Sequence, residues 1–194
     1  MIAASITLIR GVDLVASPWK NGGGVTREVA AFPEGASMDA FAWRVSVADV
    51  AQAGPFSRFP GVDRTLVLLD GAGMILDEGA HTHALMQPLD VARFAGESAI
   101  DARLVDGATR DFNLMVRRDA ARGTLDVWRA GEARHVEADT ALLYCAQGSI
   151  RIRVNDDAPV ALERGDTLRI DLCNAHIATE GDGALLAIAL RETQ

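Results

Sequence analysis

The sequence predicts an all-β fold, and three observations support that prediction. Short segments in which apolar and polar residues alternate recur along all 194 residues, and this is the two-residue period of half-buried strands. Turn signals rich in glycine and acidic residues, such as Asp70-Gly71, separate these segments. No window of about eleven residues or more has the 3.6-residue period of an amphipathic helix. We therefore expect a sandwich or barrel of many short strands.

The predicted strands follow one another closely along the chain. The first covers residues 5–10, and the strand Val25–Ala30 follows a run of three glycines. Residues 41–48 alternate so that Arg44 and Ser46 lie on the face opposite an apolar set. Further strands are predicted at residues 65–69, 74–76, 111–118, 124–137, 140–154, 162–171 and 184–191.

A weak internal repeat suggests two related halves. The apolar strand and glycine turn at residues 65–73 resemble those at residues 140–148. Gly96-Glu97 then parallels Gly165-Asp166 in the same order. No segment rich in proline, glycine and serine separates the halves. We therefore expect one compact unit over residues 1–194, with approximate repeats at 15–118 and 119–194.

The composition excludes several classes of function. Hydrophobic residues make up 49% of the chain, the formal net charge is −8 and the pI is about 4.9. This acidic balance argues against binding to nucleic acid or to an anionic membrane. Cys145 and Cys173 are too few for a disulfide framework. The N-terminus lacks the pattern of a signal peptide and no apolar run is long enough to span a bilayer, so we expect a soluble cytoplasmic protein.

The segment Pro18–Thr26 is the most informative stretch. Lys20 is the only lysine among 19 basic residues, and it lies just before three consecutive glycines. The glycine amides could form a nest for carboxylate oxygens. A phosphate loop is excluded because the lysine precedes the glycines. The structural alternative is a tight turn that leads into the strand at Val25.

Four motifs in order resemble the HutD/Ves family over almost the whole chain. They are Pro18-Trp19-Lys20-Asn21-Gly22-Gly23-Gly24-Val25-Thr26, Trp43-Arg44-Val45-Ser46, the segment 54–64 and Asp111-Phe112-Asn113-Leu114-Met115-Val116-Arg117-Arg118. The resemblance implies a cupin-like double barrel, a bicupin of two jelly rolls of the RmlC type. It also implies an accessory or regulatory factor in histidine utilisation that binds a metabolite such as formylglutamate or urocanate. It implies no catalytic mechanism, so a binding protein is expected more than an enzyme.

The cupin pattern also indicates where a metal would be held. The His-x-His slots of the first repeat fall near Ser57 and Phe59, and the Glu slot falls near Arg64. None of these residues is an imidazole, and a guanidinium would repel a metal ion. We therefore predict no metal and no cofactor.

The four histidines do not form a predicted site. His81 and His83 lie after the glycine turn, on the wrong segment for cupin ligands. His176 occupies one histidine slot alone, and a single imidazole is not a zinc or iron site. No spacing supports a role for His135. The roles of His81, His83 and His176 are left open by the sequence.

The candidate ligand-binding residues share the ability to hold a small carboxylate, as cations, hydrogen-bonding groups or apolar walls. They are Trp19, Lys20, Asn21, Gly22, Gly23, Gly24, Arg44, Ser46, Ser57, Arg64, Asn113, Met115 and Arg117. Strand alternation places Arg64 and Asp63 on opposite faces. It also places Arg117 on the face of Asn113 and Met115.

Two other functions remain open. A metal-free isomerase or hydrolase of a carboxylated substrate would use Lys20, His176 or Asp63 as its acid or base. A protein-interaction module would dock a partner through the aromatic segment Gly54–Phe59. A homodimer paired through sheet edges is compatible with either function.

Overall fold

The computed structural model describes residues 5–193, and the chain divides into two compact units. The first unit is Val15–Ala121, and the described residues of the second unit are 5–14 and 122–193. The N-terminal strand, which the two predicted repeats leave unassigned, therefore belongs to the second unit.

The described residues form strands and one short 3-10 turn, Gly11–Asp13. In chain order the strands are β1 (Ser5–Ile9), β2 (Ala16–Pro18), β3 (Gly24–Phe32), β4 (Trp43–Val50), β5 (Gly54–Pro55), β6 (Val62–Asp70), β7 (Met74–Glu78), β8 (His81–Leu85), β9 (Val91–Ala95), β10 (Asp101–Leu104), β11 (Thr109–Arg117), β12 (Ala121–Arg129), β13 (Ala133–Gln147), β14 (Ser149–Val154), β15 (Val160–Glu163), β16 (Thr167–Gly181) and β17 (Ala184–Glu192). No helix in this part of the chain is long and apolar enough to cross a membrane.

Two antiparallel sheets form the first unit. A six-stranded sheet has the order β2-β3-β4-β11-β6-β9, and a four-stranded sheet has the order β5-β10-β7-β8. Their apolar side chains meet in one core, which includes Leu66 and Leu68 from β6 and Met74 and Leu76 from β7. The face of the six-stranded sheet that looks into this core is the face that positions the candidate site.

One sheet forms the second unit. Its order is β12-β17-β13-β16-β14-β15, and β1 also pairs with β16. The long strands β13 and β16 are antiparallel partners over much of their length. Alternate residues of this sheet form a core that includes Leu143, Leu168 and Leu185. The sheets described for residues 5–193 are open rather than closed barrels, since each has strands at its two ends.

Asp166 ties the N-terminal segment to the turn between β15 and β16. Its carboxylate accepts hydrogen bonds from the Gly11 amide at 3.0 Å, the Glu163 amide at 3.1 Å and Arg10 Nη1 at 2.6 Å. Burial alone would raise the pKa of this carboxyl, but the hydrogen bonds hold the pKa below its ordinary value. The carboxylate therefore stabilises the folded chain in its ionised form.

We predict that Asp166→Asn lowers the free energy of unfolding by about 2–3 kcal/mol, because charge-assisted bonds are lost and an amide N–H must face another donor. Urea denaturation measures this change, and Asp156→Asn at an exposed turn position is the matched control. The loss is expected at neutral pH and should begin to shrink as pH falls below the ordinary aspartate pKa of about 4. It should vanish only below the lowered pKa of the carboxyl in the folded protein, where the wild-type side chain also becomes protonated. Equal stability of the two variants at pH 7 would contradict this role.

Candidate functional site

Three neighbouring strands of the six-stranded sheet build the wall of a cavity. On β11, the residues Asp111, Asn113 and Met115 point to the same face because side chains alternate along a strand. The pairing register of β4, β11 and β6 places residues of the three strands side by side in rows across the wall. One row is Arg44, Met115 and Arg64, and the next is Ser46, Asn113 and Leu66.

The cavity lies entirely within the first unit and has a volume of about 630 Å³. This size suits a small-molecule ligand. Its lining combines the sheet wall with the loop before β3 and the segment after β5. The lining residues are Ser17, Pro18, Trp19, Lys20, Asn21, Thr26, Met38, Arg44, Ser46, Ala48, Val50, Pro55, Phe56, Ser57, Phe59, Arg64, Leu66, Asp111, Asn113 and Met115.

Nine of the thirteen candidate residues line this cavity. They are Trp19, Lys20, Asn21, Arg44, Ser46, Ser57, Arg64, Asn113 and Met115. The other four candidates do not line the cavity; they are Gly22, Gly23, Gly24 and Arg117. Arg117 instead donates hydrogen bonds to the backbone carbonyls of Phe41 and Asp39, both at 3.0 Å, and its guanidinium lies over the Phe41 ring. Arg117 therefore lies outside the cavity lining, because the chain before β4 takes up these donors.

The guanidinium of Arg64 is buried between three aromatic rings. Its carbon Cζ lies 5.1 Å from the centroid of Phe56, 5.7 Å from that of Phe59 and 5.1 Å from that of Phe94. Arg64 is only 8% exposed. Such contacts stabilise a desolvated cation through the negative faces of the rings. They also fix the direction in which its N–H groups point.

Two polar atoms in the wall have no hydrogen-bond partner among the described residues. These are Nε of Arg64 and Oδ1 of Asn113, both fully buried. Arg64 Nη1 reaches only the Ser57 carbonyl, at a long 3.4 Å. Buried polar groups in folded proteins are nearly always paired, so an unpaired donor and acceptor at a cavity wall indicate where a ligand would bind.

Asp111 is a residue of the wall that the sequence prediction omitted. Burial raises the pKa of its carboxyl to about 7, although the charge of Arg64 acts in the opposite direction, and the charge of Asp49 adds to the rise. Burial likewise lowers the pKa of Arg64 to about 10, with Asp111 opposing that change and Arg44 adding to it. At neutral pH the guanidinium of Arg64 is charged, and Asp111 is present in both its protonated and its ionised form. Strand parity could have identified Asp111, since it is two residues before Asn113.

The two other cations in the cavity lining, Arg44 and Lys20, differ in their surroundings. Arg44 donates from Nε to Glu28 Oε2 at 2.7 Å and from Nη1 to Ser46 Oγ at 3.2 Å. Its charge is therefore partly balanced within the sheet. Lys20 is exposed and lines the cavity. Asp63, on the opposite face of β6 as predicted, pairs with Arg118 outside the cavity.

The glycine loop has a structural role. The Gly22 amide donates to the Trp19 carbonyl and the Gly23 amide donates to Asn21 Oδ1, both at 3.0 Å. The expected amide nest for carboxylate oxygens is not formed by these two groups, because their hydrogens are used inside the loop. A Cβ at Gly24 would lie 2.6 Å from the Asp49 carbonyl oxygen and 3.0 Å from the Trp19 ring. The glycines thus let Trp19 pack closely, and Trp19 Nε1 donates to Thr26 Oγ1 at 2.7 Å.

The residues at the predicted metal slots do not fit a metal. Ser57, Phe59 and Arg64 line the cavity together, and none offers an imidazole or a carboxylate. Among residues 5–193, no group of three or more histidine, cysteine, aspartate or glutamate side chains converges on one point. His83 packs near the Phe94 ring and contacts Glu78 Oε2 at 3.2 Å, and it does not line the cavity.

Comparison with known proteins identifies the family. The profile of the HutD family matches residues 12–187. The chain belongs to the HutD family. It is 34% identical over 189 residues to an uncharacterised 21.2 kDa protein encoded in the 3′ region of hutC in Pseudomonas putida, covering 96% of this chain and 98% of that protein. It is 43% identical over 113 residues to protein Ves of Citrobacter koseri, covering 56% of each.

Solved structures agree with this membership and with the fold class. HutD from Pseudomonas fluorescens SBW25 has a TM-score of 0.85 and 32% identity, and the match covers 98% of this chain and all of that one. Oxalate decarboxylase from Lactobacillus farciminis has a TM-score of 0.60 at 11% identity over 94% of this chain and 85% of that one, which shows the fold alone. The predicted cupin-like, all-β fold and the predicted family are both confirmed.

We predict that Gly24→Ala lowers the free energy of unfolding by about 1–3 kcal/mol, because the added methyl group meets the Asp49 carbonyl and the Trp19 ring. Gly54→Ala is the matched control, since a Cβ at Gly54 meets nothing within 4 Å. Its effect should stay within about 1 kcal/mol. Guanidinium denaturation of both variants measures the difference. If Gly24→Ala is as stable as the control, the close packing of Trp19 on Gly24 is not needed.

Proposed function

We propose that this HutD-family protein binds a small carboxylate-bearing metabolite in the cavity of the first unit. The observation that carries the proposal is the buried guanidinium of Arg64, whose Nε has no partner among the described residues. A ligand carboxylate would satisfy this donor, and the unpaired Oδ1 of Asn113 would accept a hydrogen bond from a ligand N–H or O–H. The three rings around Arg64 would exclude water from the contact.

The arrangement of charges favours a ligand with two acidic groups. Arg44 and Arg64 lie on either side of β11, so their Cα atoms are about 9–10 Å apart. Lys20 adds a third cation to the lining. An extended dicarboxylate with an amide N–H, such as formylglutamate, can use both guanidiniums and Asn113. A monocarboxylate such as urocanate can use only one guanidinium at a time.

The family supports the biological setting of this proposal. A relative of nearly the same length is named for its position beside hutC. We infer an accessory or regulatory factor of histidine utilisation that acts in the cytoplasm and responds to an anionic metabolite. The binding chemistry uses guanidinium and amide groups and needs no metal ion.

Isothermal titration with formylglutamate, formiminoglutamate and urocanate tests the proposal. We predict saturable binding that is weakened about tenfold to a hundredfold by Arg64→Gln, since a hydrogen-bonded charge contact contributes about 1.5–3 kcal/mol. Arg58→Gln, at an exposed arginine of the same segment that does not line the cavity, is the matched control. Lys20→Met, at an exposed position that tolerates substitution, should weaken binding about two- to fivefold.

Three results would contradict the proposal. One is the absence of saturable binding to all three compounds at millimolar concentration. Another is an affinity of folded Arg64→Gln equal to that of the Arg58→Gln control. If Arg64→Gln does not fold, an unchanged affinity of Lys20→Met together with binding that is insensitive to salt would exclude an anion at this cavity.

Ligand binding should depend on pH through Asp111. The pKa of this buried carboxyl is about 7 in the free protein, and a ligand carboxylate placed beside it raises that pKa further by like-charge repulsion. The complex then binds more protons than the free protein, so the affinity is greatest below about pH 6 and falls as pH rises above 7. The expected fall approaches about tenfold per pH unit.

Ordinary carboxyl groups have a pKa of about 4. The carboxyl groups of formylglutamate therefore stay ionised between pH 6 and 8, so this compound suits the measurement. Asp111→Asn keeps the shape of the side chain and removes its charge. We expect that variant to bind with an affinity that is nearly constant across the same range. A pH dependence that persists in Asp111→Asn would assign the proton to another group.

A second function rests on the same carboxyl. A side chain whose pKa lies near 7 in the wall of a cavity is suited to act as a general acid or base, so an isomerase or hydrolase of a carboxylated substrate is the alternative. Of the sequence candidates, Lys20 lines the cavity, whereas Asp63 pairs with Arg118 and His176 belongs to the second unit. Incubation of the protein with the same metabolites, followed by NMR, distinguishes turnover from binding.

A further inference from the structure

Two histidines that are far apart in sequence are direct neighbours on the sheet of the second unit. His135 on β13 and His176 on β16 are cross-strand partners in the antiparallel register. Their ring centroids lie 5.1 Å apart with an edge-on arrangement. Both side chains are exposed. The sequence spacing assigned no role to His135 because the strand register, and not a short motif, brings the two together.

The backbone around His176 shows why the two side chains approach so closely. The His176 amide donates to Asn155 Oδ1 at 2.9 Å, and its carbonyl accepts from the Asn155 amide at 2.7 Å. Both backbone groups of His176 therefore point away from β13. The pair is of the non-hydrogen-bonded type, in which the Cα atoms are about 4.5 Å apart and side chains are closest. Asn155 holds His176 in this position.

The ring separation matches that of two imidazoles on one metal ion. With a metal–nitrogen bond of about 2.0–2.1 Å and a ring centroid about 1.1 Å beyond the ligating nitrogen, tetrahedral ligands have centroids about 5 Å apart. The observed distance of 5.1 Å between the two ring centroids agrees with this separation. Joint ligation requires the rings to rotate about their side-chain bonds so that one nitrogen of each faces a common ion.

We propose that His135 and His176 form a bidentate surface site for a divalent late transition-metal ion. Imidazole nitrogens suit Cu²⁺, Ni²⁺ and Zn²⁺, with Cu²⁺ bound most tightly. No group of three or more histidine, cysteine, aspartate or glutamate ligands exists among residues 5–193, so water completes the coordination shell. The net charge of −8 favours a cation at this surface. The site uses no residue of the cavity and does not depend on the proposed carboxylate ligand.

The test uses the full chain without a histidine tag and titrates it with CuCl₂. Calorimetry should give saturable binding at one strong site per chain, and the electron paramagnetic resonance spectrum should show two nitrogen donors. His135→Ala and His176→Ala should each weaken binding about tenfold or more, since each leaves a single imidazole. The double variant His81→Ala/His83→Ala is the matched control, because it removes the other two histidines and should bind as the starting protein does.

Several results would overturn the proposal. These are the absence of saturable copper binding, an effect of only one of the two single variants, or a loss in the His81→Ala/His83→Ala control that equals the loss in the single variants. Both single variants are at exposed positions and should keep the unfolding free energy within about 0.5 kcal/mol in the absence of metal. A variant outside that limit would be replaced by His135→Gln or His176→Gln, which keep a polar side chain.

Discussion

The guanidinium of Arg64 lies between three phenylalanine rings in the wall of the cavity, and its burial determines what else the site contains. Removing a full charge from water costs several kcal/mol in a folded protein. The three ring centroids lie 5.1–5.7 Å from Cζ of Arg64, and these contacts offset part of that cost. A well-desolvated contact of this kind contributes about 2 kcal/mol. A nearby negative charge offsets a further part of the cost, and Asp111 is the buried carboxyl whose charge acts on Arg64.

Under the proposed function, this balance would let the site attract an anion in only one protonation state of Asp111. With Asp111 ionised, the wall carries a neutral pair and offers little attraction to a carboxylate. With Asp111 protonated, this carboxyl no longer compensates the positive charge of Arg64, whose Nε donor is unpaired. Because the pKa of Asp111 is about 7, both states are present near neutral pH. In the proposed complex, the ligand anion and the ionised carboxyl of Asp111 would compete for the same cation.

Strand alternation made much of the fold and of the sheet wall predictable. The two-residue period correctly separated Arg44 and Ser46 from their apolar neighbours and grouped Asn113 with Met115. The same period included Arg117, but the backbone carbonyls of Phe41 and Asp39 take its donors. That contact depends on how the chain before β4 turns, which no local pattern encodes. The pairing of His135 with His176 was hidden for the same reason, since register over 41 residues is a property of the whole sheet.

The position of Arg64 supports the proposal that this cupin-like cavity holds an anion through a guanidinium. In the cupin pattern the slot near Arg64 belongs to a carboxylate ligand, and the bound metal supplies the positive charge. A guanidinium at this slot supplies the charge itself and stays protonated even with its pKa lowered to about 10. It also presents N–H groups in a fixed plane, which a spherical ion does not. In the proposed complex, selectivity would follow from hydrogen-bond direction and from the distance to Arg44, so that the wall would discriminate ligands by the spacing of their acidic groups.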